Sequence, residues 1–416
     1  MAGQSNLQTQ IRDSIYINAG DGPDVDAFGR LRVSDPYTLF DGKNTFDSQG
    51  LIFDEAETAG SGTSTSYSSN AAAVTMSVGD GTEGTRVRQS KFRPAYQPGK
   101  SQQFAITFTL GTAVAGVTRR VGAFDEKNGL FLEQTGTQLA LVVRSFRSGT
   151  AVDTRFDQSS WNIDPLDGSG ISGVTLDVTK SQILVCDFEW LGVGRVRWGF
   201  NINGQTNYVH EYAQANHGVG VYMSTGNLPV RYEIVNDGSG GPASLECICS
   251  TVQSEGGTQF TGREFAIDRG STGLTTLDNA NLYPLLAMRL KPTHLGATVR
   301  PVEVNVICTS TADWRWALLL NPDFTGTTLS YSGVANSAVD ACTTAGNGTT
   351  VSGGSLLASG YGSSSPQVSG LANIATQDVP LGSTIAGVAD QLVLAVQRVS
   401  GTTETFYGSV RWLEQV

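Results

Sequence analysis

The stretch CDFEW holds the residues best placed to do chemistry. Asp187 and Glu189 are two apart, and residues two apart on an extended strand point to the same side. Two carboxylates on one sugar-facing surface are what glycoside cleavage requires. The spacing also has a plainer meaning. Leu184, Cys186, Phe188 and Trp190 alternate with the acids, so the acids read as the solvated face of a strand whose other face fills a core. The plainer meaning is preferred.

Laminarinase-type glycanases carry the order Glu, x, Asp, x, Glu on a sandwich strand. Here the position of the first Glu is Val185, so the nucleophile of that pattern is missing. Other chemistry is equally incomplete. The histidines are His210, His217 and His294, and no serine lies in a G-x-S-x-G turn. His210, Glu211 and His217 could meet a metal, and Asp164 with Asp167 could meet calcium, but neither spacing matches a known ligand set. Cys247 and Cys249 form a lone CxC pair. No Gly-rich loop opens a helix, so no nucleotide site is indicated. The expectation is a protein that is not an enzyme, with no catalytic residues, no metal and no cofactor. What remains is recognition. Tyr208, His210, Tyr212, His217 and Tyr222 cluster around the segment 203–220, where they are candidate contacts for a glycan or a partner protein.

These residues need strands to position them. Val196, Trp198, Phe200 and Ile202 alternate with Arg195, Arg197, Gly199 and Asn201, a period of two. Leu228, Val230, Tyr232 and Ile234 do the same. The two strands, joined by NINGQTN and a histidine-bearing loop, suggest the centre of a β-sandwich. Phe104, Ile106 and Phe108 form another strand, and Asn128-Gly129 and Thr135-Gly136 read as hairpin turns. Residues 85 to 255 therefore hold eight or more short strands with turns between them. The segment 58–79 reads as a loop leading into a strand at 73–78. The basic run Arg86, Arg88, Lys91, Arg93 and Lys100 reads as the outer face of a strand, with an acidic partner surface as the other possibility. YPLLAMRLK, at 283–291, fits a short helix or a strand equally.

The predicted class is all-β: an antiparallel sandwich or jelly roll at 51–265, an extended N-terminal arm at 1–50, and a second β unit at 266–416. Ile11, Ile15 and Ile17 are isolated in the arm, which cannot form its own core; it lies on this chain's own sheet or on a neighbouring subunit. In the second unit Val302, Val304, Val306 and Cys308 alternate. Between Phe324 and Asp378 the only charge is Asp340, which suits a surface or a subunit interface.

Composition sets outer limits. The chain of 416 residues has 50 glycines and only 16% charged residues, a mixture suited to turns and short strands. Its formal net charge of −11 argues against nucleic acid as a partner. No run of about 18 apolar residues predicts a membrane span, and the first residues lack a signal-peptide pattern. Five cysteines, sparse and odd in number, argue against a disulfide framework.

The combination DAFGRLRVSDPYTLFD, FRPAYQPGKSQ, VGAFDEKNGLFLE, WNIDPLDGSG, FEWLGVGRVRWGF and NLPVRYEI resembles virion structural proteins of tailed bacteriophages, over roughly residues 24 to 240. The resemblance implies a concanavalin-like sandwich within a head decoration, collar, tail or fibre component. It further implies a homo-oligomer, assembled in a bacterial cytoplasm and partnered by other virion proteins. A glycan-binding adhesin for host attachment is the alternative, and a tailspike-like polysaccharide depolymerase a weaker third. Beyond residue 270 the resemblance does not extend.

Overall fold

The computed structural model describes residues 25–28, 31–32, 35–259, 261–309, 312–363, 370–373 and 380–416. Ile11, Ile15 and Ile17 lie outside these. The described chain is all-β and antiparallel, with one 3-10 turn at Gln158–Ser160 as its only helical element.

The strands up to residue 254 are β1 (Tyr37–Lys43), β2 (Phe53–Gly60), β3 (Thr63–Ser68), β4 (Ala73–Val78), β5 (Glu83–Ser90), β6 (Gln102–Thr109), β7 (Val117–Phe124), β8 (Gly129–Thr135), β9 (Gln138–Ser145), β10 (Val152–Asp157), β11 (Gln182–Phe188), β12 (Arg195–Ile202), β13 (Gln205–Ala213), β14 (Val230–Asp237) and β15 (Ala243–Ser254). They form two sheets. One runs β13-β12-β11-β6-β15-β4-β3, with β1 added on β15; the other runs β10-β9-β8-β7-β14-β5-β2. Their facing sides make one core: Phe104, Ile106 and Phe108 of β6, Leu184 and Cys186 of β11, Val196, Trp198 and Phe200 of β12, and Tyr232 and Ile234 of β14 are all buried. The period-two pattern places these side chains inward, and each large apolar group contributes about 1.5–3 kcal/mol by leaving water.

Several expectations change. The strands at 195–202 and 230–237, read together as the sandwich centre, lie in different sheets: β12 one strand from an edge, and β14 inside the other sheet. The segment expected as a loop before residue 73 contains β3, paired with β4 in a hairpin; its Ser and Thr side chains can flank a solvent-facing edge without apolar residues. YPLLAMRLK contains the strand Tyr283–Leu290. The basic run is not a wet outer face. Arg88 is 1% exposed, pairs with Glu55 and lies over the Phe53 ring at 4.1 Å. Asn203 and Gly204 both take positive φ, 55° and 79°, so the β12–β13 turn is the type that Asn-Gly favours. Asn128 does not take that conformation. Its loop is closed by the Asp125 carboxylate, which accepts the Lys127 and Asn128 amides at 2.8 and 2.9 Å.

A second pair of sheets follows. One orders the strands 263–268, 404–415, 298–308 and 370–373; the other runs from 332–333 through 339–342, 283–290, 391–398 and 314–320 to 355–362. Its main core includes Leu285, Met288, Trp314, Trp316, Leu394, Phe406 and Trp412. The two β units meet through polar contacts. Arg93 donates to the Leu295 carbonyl at 3.2 Å, Asn227 to the Gly296 carbonyl at 3.1 Å, and the Ser383 amide to the Lys91 carbonyl at 2.8 Å.

Candidate functional site: a sealed sheet face and an open groove

β11 sits between β6 and β12, with Asp187 opposite Gln103 on one side and Arg197 on the other. Leu184, Cys186 and Phe188 point into the core. Alternation therefore turns Val185 and Asp187 to the outer face of the sheet, beside Arg195 and Arg197 of β12. That face is not open to water. Residues 25–28 lie across it, with Val25, Asp26 and Ala27 at 3%, 4% and 1% exposure. Arg197 Nη2 donates to the Val25 carbonyl at 2.7 Å, and Arg195 donates to the Ala27 carbonyl. This part of the arm lies on its own chain.

Asp187 is fully buried, which corrects the expectation of a solvated acid. Arg197 grips it through Nε at 3.1 Å and Nη2 at 2.6 Å, a two-pronged charge-assisted pair. The Tyr208 hydroxyl donates to Oδ2 at 2.8 Å. Arg32 reaches the same oxygen and also binds Glu255. Two guanidinium groups thus face two carboxylates, and the Arg197 guanidinium lies over the Tyr208 ring at 4.4 Å. Burial and the Asp187 charge push the Tyr208 phenol up, so it stays a donor. Burial raises the Glu255 carboxyl, partly offset by Arg32. A carboxylate bonded through both oxygens and fully buried presents no surface to a substrate. Glu189 lies just past the end of β11, where its carbonyl accepts the Tyr222 hydroxyl at 3.1 Å.

Tyr208 and His210 lie on β13 rather than in a loop, so much of 203–220 is sheet edge. Tyr208 and Tyr222 are buried, at 7% and 3%, and present no open ring for stacking. His210 is also buried; its ring packs 4.3 Å from Phe156 and 5.9 Å from Trp198. Its Nδ1 accepts the Asn162 amide at 3.2 Å, which assigns the proton to Nε2. Burial lowers its pKa to about 4. Tyr212 is half-buried and donates to Gln214, and His217 is exposed. The structure gathers Tyr208 into the Asp187 clamp and His210 into the aromatic edge, and it leaves His217 apart from both.

Asp164 uses its oxygens on the Leu166 and Ser172 amides, at 2.9 and 2.7 Å, and Asp167 uses one on the Ser169 amide. Among the described residues no group of three or more His, Cys, Asp or Glu side chains is arranged to hold a metal ion. All five cysteines are free thiols. No helix among the described residues is long and apolar enough to cross a membrane.

An open cavity lies elsewhere, between the two β units, with a volume of about 790 Å³. Tyr96, Gln97, Lys100 and Asn227 line it from one side, and Gln259, Thr261, Arg263, Lys291, His294 and Asn336 from the other. The sequence pattern gave no hint of it, because its walls come from turns and strand ends far apart in the chain. The clamp left a faint trace: Arg195, Arg197 and Asp187 alternate on paired strands, more charge than a wet face requires.

No protein-family model matches this sequence, and no curated protein matches it. Among solved structures it is similar to a legume lectin-like domain from Entamoeba histolytica (8% identity, TM-score 0.32, 53% of this chain and 98% of that one). It is similar to a GH16 protein from the Bacteroides ovatus mixed linkage glucan system (7% identity, TM-score 0.37, 51% and 99%). It is also similar to a beta-1,3-glucanase from Mycobacterium marinum (13% identity, TM-score 0.35, 53% and 99%). Identity this low carries no residue roles from those proteins to this chain.

Proposed function

We propose that this chain is a non-enzymatic binding protein of the adhesin type, with a glycan as its ligand. One observation carries the reading. Between the two β units lies an open groove of about 790 Å³ whose walls include Gln97, Asn227, Gln259, Thr261 and Asn336. Amide and hydroxyl side chains of this kind donate to and accept from sugar hydroxyls, and the volume suits a short oligosaccharide. The non-enzymatic part of the reading is supported by the clamp, in which Asp187 is buried and paired with Arg197. The test is an array of bacterial surface polysaccharides probed with the whole protein, together with an assay for released reducing sugar. Binding without release is expected. Release of sugar, abolished in Asp187→Ala, would overturn the non-enzymatic part; silence across the array would overturn the glycan part.

A second reading, a structural component of a tailed-phage virion, is favoured by a different feature. The edge strand 355–362 carries no charge and exposes Leu356 and Tyr361, at 60% and 71%. An uncharged sheet edge is suited to pairing with another chain. Sedimentation of the protein beside Leu356→Lys/Tyr361→Lys separates the two. A multimer dispersed by the double substitution supports assembly through this edge, and an unchanged monomer at high concentration removes it.

A further inference from the structure

We infer that the groove between the two β units selects acidic oligosaccharides, those bearing carboxylate or sulfate groups. The inference rests on the glycan reading above and narrows it to a ligand class.

Charge around the groove is the starting observation. Lys100, Arg263, Lys291 and His294 all line it, on a protein whose formal net charge is −11. Two of these cations are fixed in place without being neutralised. Lys291 Nζ donates to the Val334 and Ser337 carbonyls, at 2.9 and 2.6 Å, which leaves its third N–H uncommitted to either. Lys100 Nζ donates to the Gly257 carbonyl at 3.0 Å. Backbone carbonyls orient an ammonium but cancel none of its charge. Among the described residues neither ammonium bonds to a carboxylate in these contacts.

The one acidic side chain in the lining is already occupied. Glu414 accepts the Ser337 hydroxyl at 2.7 Å, the Ala338 amide at 2.6 Å and the Trp412 indole at 3.3 Å, and it is 3% exposed. Lys291 and Glu414 thus brace the 334–338 turn from two sides, one through its carbonyls and the other through its amide and hydroxyl. The result is a preformed positive wall rather than a set of waving lysines. Concave walls focus such a potential and raise the local concentration of anions.

The kind of anion follows from what the groove lacks. Single-stranded nucleic acid is held by stacking bases on open aromatic rings. The aromatic residue in this lining is Tyr96, and its ring is turned inward, stacked on Phe188 at 5.9 Å and edge-on to Trp190. Its hydroxyl accepts the Trp190 amide at 2.9 Å. Charge and amides without a stacking platform fit an acidic sugar chain better than a base.

The test titrates the whole protein with an oligogalacturonate, a sulfated oligosaccharide of equal length, a neutral cello-oligosaccharide, inorganic sulfate and a short single-stranded oligonucleotide. The acidic sugars are expected to bind at least about tenfold tighter than the neutral one, with affinity falling as salt rises. Their ratio tells carboxylate from sulfate as the preferred group. Lys100→Gln/Arg263→Gln is expected to weaken the acidic sugars about tenfold with an unchanged melting temperature; Asn336→Ala should weaken acidic and neutral sugars alike. Equal binding of neutral and acidic sugars, or indifference to Lys100→Gln/Arg263→Gln, overturns the inference and leaves the glycan reading standing. Sulfate binding as tightly as the sugars reduces the site to an adventitious ion only. The oligonucleotide binding tightest replaces sugar with nucleic acid, and no binding of any probe removes both the inference and the reading beneath it.

Discussion

The sealed sheet face and the open groove handle charge in opposite ways. On the sheet face, Asp187, Arg197, Arg32, Tyr208 and Glu255 close on one another under residues 25–28. Each charge has a partner of opposite sign, and Asp187 and Arg197 are fully buried. In the groove, Lys100 and Lys291 line the wall and are held by backbone carbonyls, which cancel none of their charge. Buried pairs satisfied from within fix a conformation and refuse a ligand. Cations oriented but not neutralised remain able to take one. The two regions therefore should respond differently to substitution: the first in stability, the second in binding.

The largest effect is expected at Asp187. Asp187→Ala leaves the Arg197 guanidinium, which is fully buried, without its carboxylate. Removing one member of a buried ion pair costs about 3–5 kcal/mol, read as a fall in the denaturant midpoint. Replacing both members, Asp187→Leu with Arg197→Met, should recover most of the loss, because no buried charge is then orphaned on the strand pair. If the single variant melts like the native protein, the face is open to water and handles charge as the groove does.

A smaller effect belongs to His210, at the aromatic edge of the same sandwich. Its folded pKa is about 4, held down by burial, against about 6.5 in an unfolded chain. The unfolded state therefore binds the proton first as pH falls. Stability contributed by the neutral ring is complete above pH 6.5 or so and is lost as pH drops toward 4. The loss is on the order of 1–2 kcal/mol once solvent screening discounts the full shift. His210→Gln should flatten the slope of denaturant midpoint against pH between 7 and 4.5. An identical slope in the variant would place the acid sensitivity in the carboxylates instead.

Much of the sandwich was legible, and the reason is local. Alternation at 104–108, 183–188, 195–202 and 230–234 names the side chains that enter the core, and they do enter it; β6 keeps its other face partly open, whereas β11, β12 and β14 are covered on both. Pairing order was not legible, because period two names a face and not a neighbour; β12 and β14, read together as the centre of the sandwich, lie in different sheets. The same ambiguity misplaced Asp187. An acid on the non-core face looks solvated until something covers it, and the cover comes from residues 25–28 and Arg32, more than 150 positions earlier in the chain. Arg88 was misread for the same reason: alternation cannot tell a wet face from a face covered by Phe53 and Glu55. Of the candidate contacts, Tyr208, His210 and Tyr222 were noticed for their chemistry, but residue type does not report exposure. The groove had no linear signal at all, since Lys100, Arg263 and Lys291 converge only when the two units meet.

The smallest expected change in stability is also the sharpest test of the comparison. Lys100 touches the fold through one ammonium contact to the Gly257 carbonyl, a half-exposed hydrogen bond of modest net worth. Lys100→Gln keeps the length of the stem nearly intact and offers an amide to the same carbonyl. Its cost in the denaturant midpoint should stay within about 0.5 kcal/mol, the range of surface substitutions that break no special feature. Asp187→Asn, an equally small change in atoms, should lower the midpoint several times further, because it removes half of a buried charge pair and leaves the other half. If the two isosteric variants lose equal stability, the groove cation is as structural as the clamp. The distinction between a face closed on itself and a face left open for an anion then fails.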